Sequence, residues 1–223
     1  MPTRRCPPAE SAASITGSEV RPTPVAANVE PDAASLTLGT VNFGRDVFSN
    51  PWDLIVELHT QMQQRGIVPE YEVFDLGQLA TLARLLDKYG PPHGGHVHVD
   101  LVMGVPGGMP GTAQALTACL PFLPAGATFA ATGVGRTSLP VMLAALSAGG
   151  HLRVGMEDTL TYAPGEPVRD NVQLVARAAG LARIAQRPPL DPAGARTLLG
   201  IDLAGRDDPQ NDPQNERSLE AAP

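Results

Sequence analysis

Between residues 31 and 203 the chain alternates between two rhythms of apolar and polar positions. AASLTLGTVNF (33–43) changes character at every second residue, the period of a half-buried strand. PWDLIVELHTQMQQRG follows with apolar residues every third or fourth position, the period of a helix face. Leu54, Ile55, Leu58 and Met62 form that stripe; Asn50 is placed to cap the helix, Pro51 suits its first turn and Gly66 can end it. The pair then recurs. VPEYEVFD (68–75) leads into LGQLATLARLLDKYG, HVHVDLVMG (96–104) into a helix around 113–123, and TFAATGVG (128–135) into a helix from Ser138 to about Ala148. HLRVGMED (151–158) leads, after a loop, into NVQLVARAAGLARIAQ.

Five strand–helix units with short connections predict an α/β fold built on a parallel sheet. The two faces of the strands narrow the choice, because side chains at i and i+2 share a face. Ser35, Thr37 and Gly39 oppose Leu36 and Leu38, Glu70 and Glu72 oppose Tyr71 and Val73, and Arg153, Gly155 and Glu157 oppose Leu152, Val154 and Met156. One polar and one apolar face fit the TIM (β/α)₈-barrel family, with polar groups inside and helices outside. A full barrel has eight units and about 250 residues, so five units (strands four to eight) predict a partial barrel over residues 31–203. The flanks read differently. Residues 1–30 are rich in Pro, Ser, Ala and Thr without periodicity, and 204–223 repeat DPQN. Both are expected to be disordered or irregular.

Composition removes several function classes. A net charge of −7 over 223 residues, with no basic run, argues against nucleic acid as a partner. Cys6 and Cys119 make neither a disulfide framework nor a metal knuckle, which suits a reduced, cytoplasmic setting. Arg4 and Arg5 are followed by no apolar core, and no run of about 18 apolar residues exists, so neither a leader nor a membrane span is expected.

The candidate chemistry gathers where a core strand should end. Arg153, Glu157 and Asp158 are costly to bury unless paired or bound to something. In a barrel they would close the C-terminal end of their strand, where active sites sit. A catalytic cluster and a structural ion pair both account for them, and the same two readings apply to Glu72. His96 and His98 open their strand at the opposite end, where solvated or hydrogen-bonded histidines are expected rather than a metal pair. GVPGGMPGT (104–112) and ATGVGRTSLP (131–140) run into helix N-termini that could take a phosphate or carboxylate, the second with Arg136 beside it. Tight turns that need glycine explain both equally well.

Taken together, SLTLGTVNFGRDVF, EVFDLGQLATLARLLDKYG, DLVMGVPGGMPGT, ATGVGRTSLPVMLAALSAGGHLRVGMEDTLTYAPG and NVQLVARAAGLA resemble the 3-keto-5-aminohexanoate cleavage enzyme family, the β-keto acid cleavage enzymes, from about Pro31 to Ile201. The string GGHLRVGMED with Asn171 downstream is its most specific part. The resemblance implies a zinc-dependent TIM-barrel enzyme of lysine degradation and related routes, oligomeric, transferring an acyl unit between a β-keto acid and acetyl-CoA to give acetoacetate and a new CoA ester. It further implies Glu157 as a zinc ligand, Arg153 and Asp158 as the charged pair that helps generate an acetyl-CoA nucleophile, and Glu72 as an active-site carboxylate. Thr37 stands where many relatives carry Asn, as a polar contact to substrate. The family's His-x-His zinc pair on an early strand has no counterpart before residue 31, and His96-Val97-His98 belongs to a later strand. A non-catalytic remnant of the family is therefore the competing reading, and a metal-free protein binding a phosphate-bearing ligand through its glycine loops is a third.

Overall fold

The computed structural model describes residues 31–201. Its centre is a five-stranded sheet of β1 (Ala33–Thr37), β4 (Val68–Val73), β5 (His98–Met103), β6 (Thr128–Gly133) and β7 (His151–Leu152), in that spatial order and all parallel. Each strand lies beside the one preceding it in the chain, with no reversal of the kind that marks a doubly wound sheet. Two short antiparallel hairpins lie outside it: β2 (Val41–Phe43) with β3 (Asp46–Phe48), and β8 (Thr161–Ala163) with β9 (Glu166–Pro167). The helices are α1 (Trp52–Arg65), α2 (Leu76–Tyr89), α3 (Ala113–Cys119), α4 (Ser138–Ser147), α5 (Asn171–Ile184) and α6 (Pro192–Leu199). None of them is long and apolar enough to cross a membrane. The expectations for residues 1–30 and 204–223 fall outside the described residues.

The core explains why one face of the sheet is apolar. Leu36 and Leu38, Tyr71 and Val73, Val99, Leu101 and Met103, and Phe129 and Ala131 project from the four longer strands into one buried cluster. Ile55 of α1, Leu79, Leu82 and Leu85 of α2, Leu116 of α3, and Val141 and Ala145 of α4 close it from the other side. Burying each such large side chain stabilises the fold by about 1.5–3 kcal/mol. The helices begin where short polar side chains can cap them. Asp75 accepts from the Gln78 N–H, Thr112 from Ala115 and Asp170 from Gln173.

Three local features differ from the sequence pattern or add to it. Asn50 does not cap α1; Pro51 occupies that position, and Asn50 Nδ2 instead donates to the Thr37 carbonyl at 2.8 Å. That bond ties the chain back to β1 after the β2–β3 excursion, which the unbroken alternation of 33–43 had hidden. The stripe of α1 also contains His59, which is fully buried. Its Nε2 lies 3.3 Å from the Gly90 carbonyl, which only accepts, so Nδ1 is left to accept from the Tyr71 hydroxyl at 3.0 Å. Third, α3 ends at Cys119 and tightens into a single 3₁₀ turn over Leu120–Phe122, because Pro121 cannot continue the α-helical hydrogen bonding.

Candidate active site

The other face of the sheet is polar, and its side chains converge. Strand register sets Thr37 beside Glu72 and Glu72 beside Asp100, in one row across β1, β4 and β5. Thr37 Oγ1 donates to Glu72 Oε2 at 2.8 Å. Arg153, the residue after β7, reaches back over the sheet, and its Nη1 donates to Glu72 Oε1 at 2.8 Å and to Asp100 Oδ2 at 3.1 Å. Thr132 of β6 donates to the same Asp100 oxygen at 2.7 Å. One guanidinium, just past the end of the fifth strand, thus links residues from the other four into one network. Its floor is closed to the surface: Asp100 and Thr132 have no exposed surface, and Asp100 Oδ1 is buried without a hydrogen-bond partner among the described residues.

The electrostatics follow from three carboxyls sharing that guanidinium. Burial pushes Asp100 above the ordinary carboxylate range, opposed by its bonds to Thr132 and Arg153. Glu70, one pleat below Glu72, is pushed up to about 7 by burial and by the charge of Asp100. Arg153, surrounded by carboxylates, is held even more firmly protonated than usual.

The strand carrying Arg153 is shorter than its alternation suggested. It ends at Leu152, and Glu157 and Asp158 lie on a turn instead of at a strand end. The N–H groups of Asp158 and Thr159 both donate to the Gly155 carbonyl at 3.1 Å, which curls the chain there. Outside contacts fix the turn. Gly135 N–H donates to the Asp158 carbonyl at 2.7 Å, and Met156 N–H donates to Asn171 Oδ1, at the start of α5, at 2.8 Å. The Glu157 carboxylate folds back over Gly155, where a Cβ would displace it. Glu157 itself points outward, 62% exposed, with Oε1 3.6 Å from Arg153 Nη2. Asp158 is more enclosed. Its Oδ2 is buried without a partner among the described residues, and burial pushes its carboxyl up to about 6.

Of the residues singled out from sequence, Thr37, Glu72 and Arg153 are brought into direct contact, and Glu157 and Asp158 flank them. Asp100, Thr132 and Glu70 were missed. The signal for Asp100 was present in HVHVDLVMG, where one acid interrupts an apolar run on the face shared with His98. The glycine loops have a packing explanation: a Cβ at Gly104, Gly111 or Gly133 would strike Thr137 or the backbone beside it.

Zinc does not fit the described residues. Among the described residues, Glu70, Glu72 and Asp100 form the acidic group that could hold a metal ion, with ligand oxygens within 4.8 Å of one another. That set lacks the nitrogen or sulfur donors of ordinary protein zinc sites, and Arg153 already lies against two of its members. The histidines are at the other end of the sheet, where His96 Nε2 and His98 Nδ1 both meet Thr128 Oγ1, at 2.8 and 2.7 Å.

Comparison with known proteins gives this geometry a context. A family model described as beta-keto acid cleavage enzyme matches residues 8–201, starting upstream of the motifs noted above. The chain is 36% identical over 178 residues to a 3-keto-5-aminohexanoate cleavage enzyme of Acetoanaerobium sticklandii, covering 78% of this chain and 63% of that protein. It is 35% identical over 177 residues to a 3-oxoadipate:acetyl-CoA acetyltransferase of Cupriavidus necator, covering 78% and 62%. The chain therefore spans just under two thirds of the length of these relatives. Among solved structures, the apo structure of ObcA matches with a TM-score of 0.65 at 19% identity, over 77% of this chain and 44% of that one, which supports the fold alone.

Proposed function

The chain belongs to the beta-keto acid cleavage enzyme family, and from that premise we propose that its polar sheet face is the reacting centre of an acetyl-CoA-dependent β-keto acid cleavage. The sheet is read as strands four to eight of a (β/α)₈ barrel, in the homo-oligomeric, cytoplasmic setting expected from sequence. The reaction exchanges acyl partners: R–CO–CH₂–COO⁻ and acetyl-CoA give acetoacetate and R–CO–CoA. In those products the CH₂–COO⁻ unit has moved from R–CO to the acetyl carbonyl. The carbon that attacks is therefore the one between keto group and carboxylate, and the thioester methyl is a bystander. This replaces the acetyl-CoA nucleophile expected from sequence. The bond formed joins that carbon to the acetyl carbonyl with loss of CoA thiolate. The bond broken joins it to R–CO, which the thiolate captures.

The observation that carries the reading is Arg153, fixed by Glu72 and Asp100 and flanked by Asp158. Asp158 is the base that takes the proton from the attacking carbon, and it returns that proton to the same carbon of acetoacetate when the bond to R–CO breaks. Arg153, held in one orientation by two carboxylates, offers its remaining donors to the anion that develops as the proton leaves. Thr37 and Glu72 hold the polar end of the keto acid. Glu157 is a metal ligand only by resemblance, and no step is routed through a metal. The non-catalytic alternative has less support, because the network is intact and the chain keeps its charged groups in contact. The test is acetoacetate release from a β-keto acid and acetyl-CoA in zinc-supplemented buffer. Wild type should release it, and Asp158→Asn should lower the rate by about a hundredfold or more. Equal rates in the two proteins would remove Asp158 from the role of base.

A further inference from the structure

The proposed reaction needs a long, polyanionic thioester, and the protein carries a net charge of −7, so the phosphates of that thioester need local cations. The glycine loops hold a single arginine between them, Arg136, and Gly104, Gly111 and Gly133 there are explained by packing against Thr137 and the backbone beside it. Another place offers two. The β8–β9 hairpin and the start of α5 enclose an open cavity of about 440 Å³ lined by Tyr162, Arg169, Asp170, Val172, Gln173 and Arg177. Arg169 and Arg177 make no ion pair among the described residues, unlike Arg153 and Arg196. Arg177 stands with Cζ 4.5 Å over the Tyr162 ring and donates from Nη1 to the Tyr162 carbonyl at 2.7 Å. That holds the guanidinium in place without neutralising it, and its Nε has no acceptor among the described residues. Asp170 is the opposing charge in the cavity. Its Oδ1 is turned to the Gln173 N–H at 2.8 Å, so it occupies the helix end itself and leaves the two arginines as the attracting groups.

We infer that this cavity is the phosphate subsite for the CoA moiety, with Arg169 and Arg177 as its cationic walls. The inference rests on the proposed acyl transfer. Position supports it: the hairpin and α5 both follow the turn carrying Asp158, and Asn171, beside the cavity, holds that turn through Met156. A thioester whose phosphates lie at Arg169 would be anchored on the same segment that presents the base. Guanidinium suits phosphate through paired, charge-assisted hydrogen bonds.

The probe is adenosine 3′,5′-bisphosphate, the phosphate-bearing end of CoA without its reactive end, titrated calorimetrically into the full chain. Wild type should bind it saturably and more weakly as salt is raised. Arg169→Glu should weaken binding by about tenfold or more. Arg183→Glu, in the last turn of α5 and outside the cavity, should bind like wild type. Arg177→Lys, which keeps the charge in case removal disturbs the hairpin, should retain most of the affinity. Absence of saturable binding in wild type at low salt, or equal binding in wild type and Arg169→Glu, would overturn the subsite. Acetoacetate formation with a KM for acetyl-CoA unchanged by Arg169→Glu would overturn it while leaving the acyl transfer standing. Bisphosphate binding lost in Arg169→Glu, in a chain that forms no acetoacetate, would support the phosphate cavity and remove the acyl transfer.

Discussion

Asp100 is the residue on which the polar face is built, and a single acid in an apolar strand is easy to pass over. Its carboxylate lies with no exposed surface between Thr132 and Arg153. A buried charge that keeps only one strong partner is sensitive to the loss of that partner. Arg153→Met should therefore destabilise the fold by roughly 3 kcal/mol, the lower part of the range for breaking a buried pair, because Arg153 is itself 30% exposed. Chemical denaturation at neutral pH measures this, and a change below about 1 kcal/mol would mean that Asp100 is neutral there. Glu70 gives a pH-dependent counterpart. Its carboxyl is pushed up to about 7, so between the ordinary carboxylate range and 7 the native state holds a proton that the unfolded chain has released. Stability contributed by Glu70 is thus present at low pH and falls as pH rises through that window. Glu70→Gln should gain stability relative to wild type as pH is raised from about 5 to about 8. A constant difference across that range would show that Glu70 titrates as an ordinary exposed acid.

At the level of elements, the alternation of strands and helices was readable because each large apolar residue recurs with the period of the element it stabilises. Leu79, Leu82 and Leu85 mark α2 in the sequence and fill the core in the structure. Leu82→Ala should cost about 2–5 kcal/mol in thermal or chemical unfolding. What alternation could not show is where a strand loses its partner. β7 continues the pattern to residue 158 but stops pairing at Leu152, and β1 stops at Thr37, where a hairpin follows that keeps the same polar–apolar rhythm. Asn50 holds that excursion through a buried bond to Thr37, a contact between distant positions that local pattern does not encode. Asn50→Ala leaves the Thr37 carbonyl without its donor and should cost about 1–3 kcal/mol. A neutral effect would show that water replaces the amide.

For the whole molecule, the sequential parallel order and the division into one apolar and one polar face were both legible from which residues share a strand face. The convergence of four strands on Arg153 was legible only in part. Glu72 and Thr37 were found by their place on the polar face and by resemblance, and Glu70 shares that face in the sequence, whereas Asp100 and Thr132 required the register that sets β4, β5 and β6 side by side. The decisive property of that face is what it does to a β-keto acid. The most direct measurement supplies acetyl-CoA isotopically labelled at its carbonyl carbon, together with an unlabelled β-keto acid such as 3-oxoadipate, and locates the label in the acetoacetate released. Label is expected at the keto carbon in the wild-type product, with release strongly reduced in Asp158→Asn. Label at the carboxyl carbon, or no labelled acetoacetate from the wild-type chain, would contradict it.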